Sequence, residues 1–111
     1  MIAAFYPSTQ YSGMSSKSES RIPREMYPDS IGKRLRIIRE GYDLKPSEIA
    51  DILGIERTYW SRFEGGKRVV SNEVAYLLTE KFGVTTDFIL LGRWDKLPLD
   101  VAERLRKVAP Q

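Results

Sequence analysis

The amino-acid sequence predicts an all-α domain, and three observations carry that expectation. Apolar residues recur three and four positions apart in successive segments from Ile31 onward. Capping residues and glycines bracket those segments: Ser30, Ser71 and Thr85 stand ahead of apolar stripes, and Gly41, Gly54, Gly83 and Gly92 stand behind them. No stretch alternates apolar and polar residues over the length of a strand.

Residues 1–29 read as a flexible leader. Ser, Tyr and Pro are frequent there, and the run SSKSES offers too little apolar surface to repay the cost of ordering. Phe5, Tyr6 and Tyr11 read as part of a solvated tail. A first helix is expected from about Ile31 to Glu40, capped by Ser30 and favoured by Asp29 near its positive end. Ile31, Leu35 and Ile38 form one stripe; Lys33, Arg34 and Arg36 lie off it and read as a solvated face rather than DNA contacts, with phosphate contact by one of them as the alternative. Gly41 is the expected terminator.

A second helix is expected from Pro46 to Leu53, because proline is tolerated at a first helical position, where its missing N–H costs nothing. Ile49 and Leu53 give it a buried side, and Gly54 suits the turn that follows. A third helix runs from Arg57 to Glu64. The fourth starts after Ser71, with Ala75, Leu78 and Phe82 at i, i+3 and i+7. The fifth starts at Thr85 and carries Phe88, Ile89, Leu90 and Leu91; so short a helix cannot point four successive apolar residues into one small core, so some are expected to face a partner. A sixth, residues 98–108, has Val101, Leu105 and Val108 on one side. The expected organisation is therefore a leader (1–29), a helical domain (30–96) and a C-terminal helix (97–111) that offers a dimerisation element.

Composition narrows the chemistry. The 111 residues contain no cysteine and no histidine. Disulfides, thiolate nucleophiles, imidazole bases and the usual zinc sites are thereby excluded. No nucleophile–base pair stands out, and GGKR lacks the spacing of a nucleotide-binding loop, so neither an enzyme nor a cofactor is expected. No apolar run approaches the ~18 residues of a membrane span. The opening MIAAFYPSTQ does not read as a secretory signal, and a cytoplasmic location is the expectation. The net charge of +3 is modest, but its distribution is uneven. Between Arg57 and Arg68 lie Arg57, Arg62, Lys67 and Arg68 against the lone Glu64, the local basic strip expected where phosphate is contacted.

The decisive pattern is in LKPSEIADILGIERTYWSRFEGGKRVVS. Counting Pro46 as the first position, Ile49, Leu53, Ile55, Trp60 and Phe63 fall at the fourth, eighth, tenth, fifteenth and eighteenth, with Ala50 at the fifth and Gly54 at the ninth. The apolar set clamps two helices crossing steeply, the alanine lets them touch, and the glycine makes the turn. Together with IGKRLRIIRE and FGVTTDFILLG, in order and with matching gaps, this segment resembles the lambda-repressor-like helix-turn-helix family of Cro/cI/Xre type. The resemblance spans roughly residues 31–92. It implies a compact five-helix bundle that binds double-stranded operator DNA, commonly as a two-fold dimer.

The same resemblance makes the third helix the reader. Arg57, Thr58, Ser61 and Arg62 match the positions that touch base edges, and an arginine can bond guanine O6 and N7 together, about 1–3 kcal/mol of discrimination. Lys45, Tyr59, Lys67 and Arg68 fall where phosphate is held. Arg39 and Glu64 match an internal ion pair between the first and third helices, and Trp60 is expected in the core. Two departures stand out. Lys45 and Pro46 occupy positions where the family favours Ser or Thr and then a phosphate-gripping Gln. Glu56 sets an anion beside the groove. The sequence thus leads to a sequence-specific transcriptional regulator, a repressor working as a homodimer on an inverted repeat, with Leu91, Trp94 and Val101 as candidates for the dimer face. The alternative is a protein-binding module of the same fold, an antitoxin or antiactivator that grips another regulator.

Overall fold

The computed structural model describes residues 21–110, and these are all-α, with no strand among them. The first twenty residues of the expected leader lie outside the described residues. A short 3-10 turn, Arg24–Met26, leads into six helices: α1 (Pro28–Gly41), α2 (Pro46–Leu53), α3 (Arg57–Glu64), α4 (Asn72–Phe82), α5 (Thr86–Leu91) and α6 (Leu99–Arg106).

Helix α1 starts about one turn earlier than expected. Pro28 takes the first helical position, and the extended Tyr27 ahead of it accepts the Ile31 N–H at 3.0 Å. Ser30 is therefore not the cap; it lies inside the helix, its N–H donating to Asp29 Oδ1 at 3.0 Å. Nor does Gly41 terminate α1, which includes it and gives way at Tyr42. A Cβ on Gly41 would stand 2.6 Å from Leu105 Cδ2, so the small residue makes room for α6. The left-handed residue after α1 is Asp43, at φ 57°.

The termini of α2 to α5 follow the sequence, whereas α6, expected over residues 98–108, is shorter, Leu99–Arg106, with Pro98 as its cap. Ser71 Oγ accepts the Val74 N–H at 3.1 Å and Thr85 Oγ1 the Phe88 N–H at 3.0 Å. Gly54 has φ 71°, a conformation that costs a Cβ-bearing residue about 1 kcal/mol or more, and with it the Ile55 N–H returns to the Ala50 carbonyl at 3.0 Å.

Helix α1 is the spine: α3, α5 and α6 all pack on it, while α2 and α4 close the far side. Leu35, Ile38, Ile49, Trp60, Leu78, Phe88, Ile89 and Leu105 are fully buried. Arg34 does not belong to a solvated face. Its Nε donates to the Ile89 carbonyl at 2.9 Å and its Nη2 to the Glu25 carbonyl, stitching the 3-10 turn and α5 onto α1. Burial pushes its guanidinium pKa below the ordinary value, opposed by Glu25.

Helix α6 folds back on its own chain. Val101, Ala102 and Leu105 are buried, and burying a valine or leucine side chain is worth roughly 1.5–3 kcal/mol. Val101 is therefore core, not dimer surface. Val108 lies beyond the end of α6 and is exposed. Of the α5 quartet, Phe88 and Ile89 are buried, while Leu90 and Leu91 are half-buried.

Candidate nucleic-acid interface

Helix α3 has two sides with opposite destinies. Trp60 and Phe63 face inward, with Trp60 wholly buried. Arg57, Thr58, Ser61 and Arg62 occupy the outward side and are all exposed. Neither arginine forms a hydrogen bond, ion pair or ring contact among the described residues. This follows from spacing: positions 57 and 61, and 58 and 62, are each four apart and stack into two adjacent outward rows.

The inward anchor is unusually well tied. Arg39 Nε and Nη2 donate to Glu64 Oε1 and Oε2 at 2.9 and 2.8 Å, a two-pronged pair between α1 and α3. Both side chains are largely buried, at 13% and 16% exposure, so solvent screens the pair weakly. Arg39 Nη1 donates to the Leu44 carbonyl at 3.0 Å, and the buried Trp60 Nε1 donates to Glu64 Oε1 at 2.6 Å. Every polar atom of this cluster is thus satisfied. Hydrogen bonding to Glu64 raises the Arg39 guanidinium pKa above its ordinary value, against the opposing effect of burial.

Close backbone approach fixes where α3 sits. A Cβ at Gly32 would lie 2.5 Å from the Glu64 carbonyl oxygen and 2.9 Å from that of Phe63. Real Cβ atoms do not tolerate such contacts, so Gly32 lets α1 run directly against the end of α3.

Different groups flank the outward rows on their two sides. On one side Tyr59 leans toward the loop after α3, and the Arg68 guanidinium lies 5.4 Å from its ring centroid. Lys67 and Arg68 are exposed in that loop. On the other side a cleft of about 310 Å³ opens between α1 and α3, bordered by Lys33, Arg36, Pro46, Ser61 and Gly65. Lys45 is exposed at the start of α2. Its ammonium cannot accept a hydrogen bond, and Glu48 does the capping instead, taking the Lys45 N–H at 2.7 Å. Glu56 is exposed at the start of α3 and forms no ion pair with Arg57.

The structure thus gathers Arg57, Thr58, Ser61 and Arg62 on one exposed strip with Tyr59, Lys67 and Arg68 at one edge. Arg39 and Glu64 lie behind the strip and hold it. The sequence put Lys33 and Arg36 on a solvated face, with phosphate contact by one of them as the alternative, and did not place them beside this strip. The available signal was Gly32, a residue without a side chain on the inward side of α1, which marks a close helix crossing. Among the described residues no group of three acidic side chains is placed to hold a metal ion, and no helix is long and apolar enough to cross a membrane.

Residues 32–93 match the family model described as a helix-turn-helix domain. That interval runs from the crossing glycine through the exposed strip of α3 to just past the end of α5. The chain belongs to the lambda-repressor-like helix-turn-helix family. It is 32% identical, across 96% of its length, to a protein of Pyrococcus abyssi named as an HTH-type transcriptional regulatory protein, and covers 39% of that protein. A similarly named protein of Pyrococcus horikoshii is 39% identical across 73% of the chain, which covers 27% of it. The antitoxin PezA of Streptococcus pneumoniae is 40% identical across 50% of the chain, which covers 35% of that relative. The chain thus spans well under half the length of these relatives. No solved structure matches it. The family shares its region with the helices that carry the strip, while α6 falls beyond the matched interval.

Proposed function

We propose that this helix-turn-helix protein is a sequence-specific DNA-binding transcriptional regulator, a repressor that binds an inverted-repeat operator as a homodimer with α3 in the major groove. One observation carries the reading: α3 offers two exposed arginines that have no partner among the described residues, on the side opposite a buried tryptophan and a two-pronged ion pair. An arginine left unpaired on a rigidly held helix is suited to the acceptor pair of guanine, and Thr58 and Ser61 beside it supply hydroxyls for bases or phosphate. Lys45, Lys67 and Arg68 serve the phosphates. Leu91 and Trp94 remain exposed enough to contribute to a subunit contact. The likeness to regulators of two Pyrococcus species supports the same reading.

The test is fluorescence anisotropy on operator fragments selected from genomic DNA. Arg57→Ala and Arg62→Ala are each expected to cost about 1–3 kcal/mol on the selected site and to relax preference at one base position. Lys67→Ala is expected to weaken all sequences alike and to flatten the salt dependence. Unchanged preference in both arginine variants removes α3 as the reader.

A second reading is favoured by one finding, the likeness to PezA. In it the bundle also grips a protein, as an antitoxin or antiactivator does. Stoichiometric capture of one protein partner, with no salt-dependent retention on DNA, would select this reading over the first.

A further inference from the structure

A second cleft opens on the Tyr59 edge of the strip, between α3 and the start of α4, with a volume of about 230 Å³. Its floor is apolar: the half-buried Ile55 and the edges of the core residues Phe63 and Val74. Its rim is polar and carries both signs of charge. Arg68 and Glu73 stand on it, together with the hydroxyl-bearing Tyr59 and Ser71. An apolar lining with a few polar groups set around it is the usual chemistry of a small-ligand site. The volume is below the ~300 Å³ at which pockets for drug-sized ligands begin, so a fitting occupant is small.

The two opposite charges border one cleft without joining. Arg68 and Glu73 are both exposed, and no ion pair links them among the described residues. Arg68 is engaged by the Tyr59 ring, whose centroid lies 5.4 Å from the guanidinium carbon. A ring contact uses none of the five guanidinium N–H donors. The Glu73 carboxylate accepts no hydrogen bond among the described residues. Ser71 Oγ takes the Val74 N–H at 3.1 Å, and its own O–H remains to donate. The rim thus offers a cationic donor, an anionic acceptor and a hydroxyl around an apolar floor. A simple anion would meet Glu73, and a simple cation would meet Arg68. A zwitterion with an apolar body matches both charges and the floor.

We propose that this cleft binds a small apolar amino acid, with its carboxylate on Arg68, its ammonium on Glu73 and its side chain over Ile55, Phe63 and Val74. The binding itself does not depend on DNA. Its consequence rests on the DNA reading, in which Arg68 serves a phosphate. A carboxylate held by Arg68 occupies the same guanidinium, so the amino acid and the DNA backbone compete for one cation. Each then weakens the binding of the other by the same factor. The amino acid in this way releases one backbone contact and leaves Arg57 and Arg62 untouched.

The full-length chain, isotope-labelled and free of DNA, is titrated with leucine and followed by NMR. Saturable shifts are expected at the Tyr59, Ser71 and Glu73 amides and at the Arg68 Nε–H. N-acetyl-leucine lacks the ammonium and leucine amide lacks the carboxylate; each is expected to bind roughly tenfold or more weakly. Glu73→Gln is expected to weaken leucine by a similar factor. Its melting by circular dichroism should stay unchanged, because Glu73 is exposed and Ser71 still caps α4. The proposal is overturned by the absence of saturable shifts, by shifts confined to other surfaces, by equal binding of the three compounds, or by full leucine affinity in Glu73→Gln. With a labelled duplex present, leucine is expected to lower the slope of log affinity against log salt by roughly 0.9, one phosphate contact. Saturable leucine binding with an unchanged slope overturns the competition. A chain that binds leucine but no DNA removes the DNA reading and upholds the leucine site.

Discussion

Helices α3 and α6 are each eight residues long and each carry two arginines, yet they spend them in opposite ways. On α6, Arg104 lies 4.5 Å from the centroid of the Tyr42 ring and donates to the Gly41 carbonyl at 3.3 Å, while Arg106 lies 5.0 Å from the Trp94 ring. On α3, Arg57 and Arg62 are exposed and form no hydrogen bond, ion pair or ring contact among the described residues. A count of positive charge rates the two helices equally. What distinguishes them is whether aromatic rings and carbonyls of the same molecule already satisfy the cations.

The contrast can be broken most forcefully behind α3. Glu64→Ala is expected to cost about 3–5 kcal/mol in a denaturant melt, because it leaves the largely buried Arg39 with only a 3.9 Å approach to Glu40 and Trp60 Nε1 without an acceptor. Its loss of operator binding should follow its loss of fold.

A smaller effect is expected on the side of α6. The Tyr42 hydroxyl donates to the Phe82 carbonyl at 2.7 Å, and its ring supports Arg104. Burial raises the Tyr42 pKa; Arg104 opposes this and Asp100 adds to it. A phenol whose folded pKa is raised holds its proton more tightly folded than unfolded. Its stabilisation is complete below the ordinary tyrosine range near pH 10 and declines as pH rises through and above it. Tyr42→Phe should cost about 1 kcal/mol at neutral pH and make the alkaline limb of the stability profile shallower.

The smallest effects sharpen the comparison directly. Arg104→Ala is expected to cost about 0.5–1 kcal/mol of stability, whereas Arg57→Ala and Arg62→Ala should stay within about 0.5 kcal/mol. Thermal melts of the three variants in one buffer check the ordering. Equal losses would mean that the arginines of α3 are structural after all.

The repeating apolar positions made most of the fold legible, because Ile49, Leu53, Trp60, Phe63, Leu78 and Leu105 are buried where their spacing puts them. Ser71 and Thr85 were readable as caps because a hydroxyl before a stripe has a local task. Ser30 had the same appearance and was outcompeted, since Pro28 could start the helix a turn sooner. Gly41 looked like a stop signal because glycine serves two purposes, left-handed turns and close packing, and only the fold decides between them. The outward strip was legible from helical spacing. Arg34 and the cleft of Lys33 and Arg36 were not, because their surroundings depend on which helices cross α1, at sequence separations that periodicity cannot report.

The missing carbon at Gly32 has a consequence for how such a protein diversifies. With backbone resting on backbone, the pitch of α3 is inherited from α1 and owes nothing to the four residues that point away from it. Arg57, Thr58, Ser61 and Arg62 are in effect interchangeable type set in a fixed frame. Substitutions at these four positions leave that frame untouched.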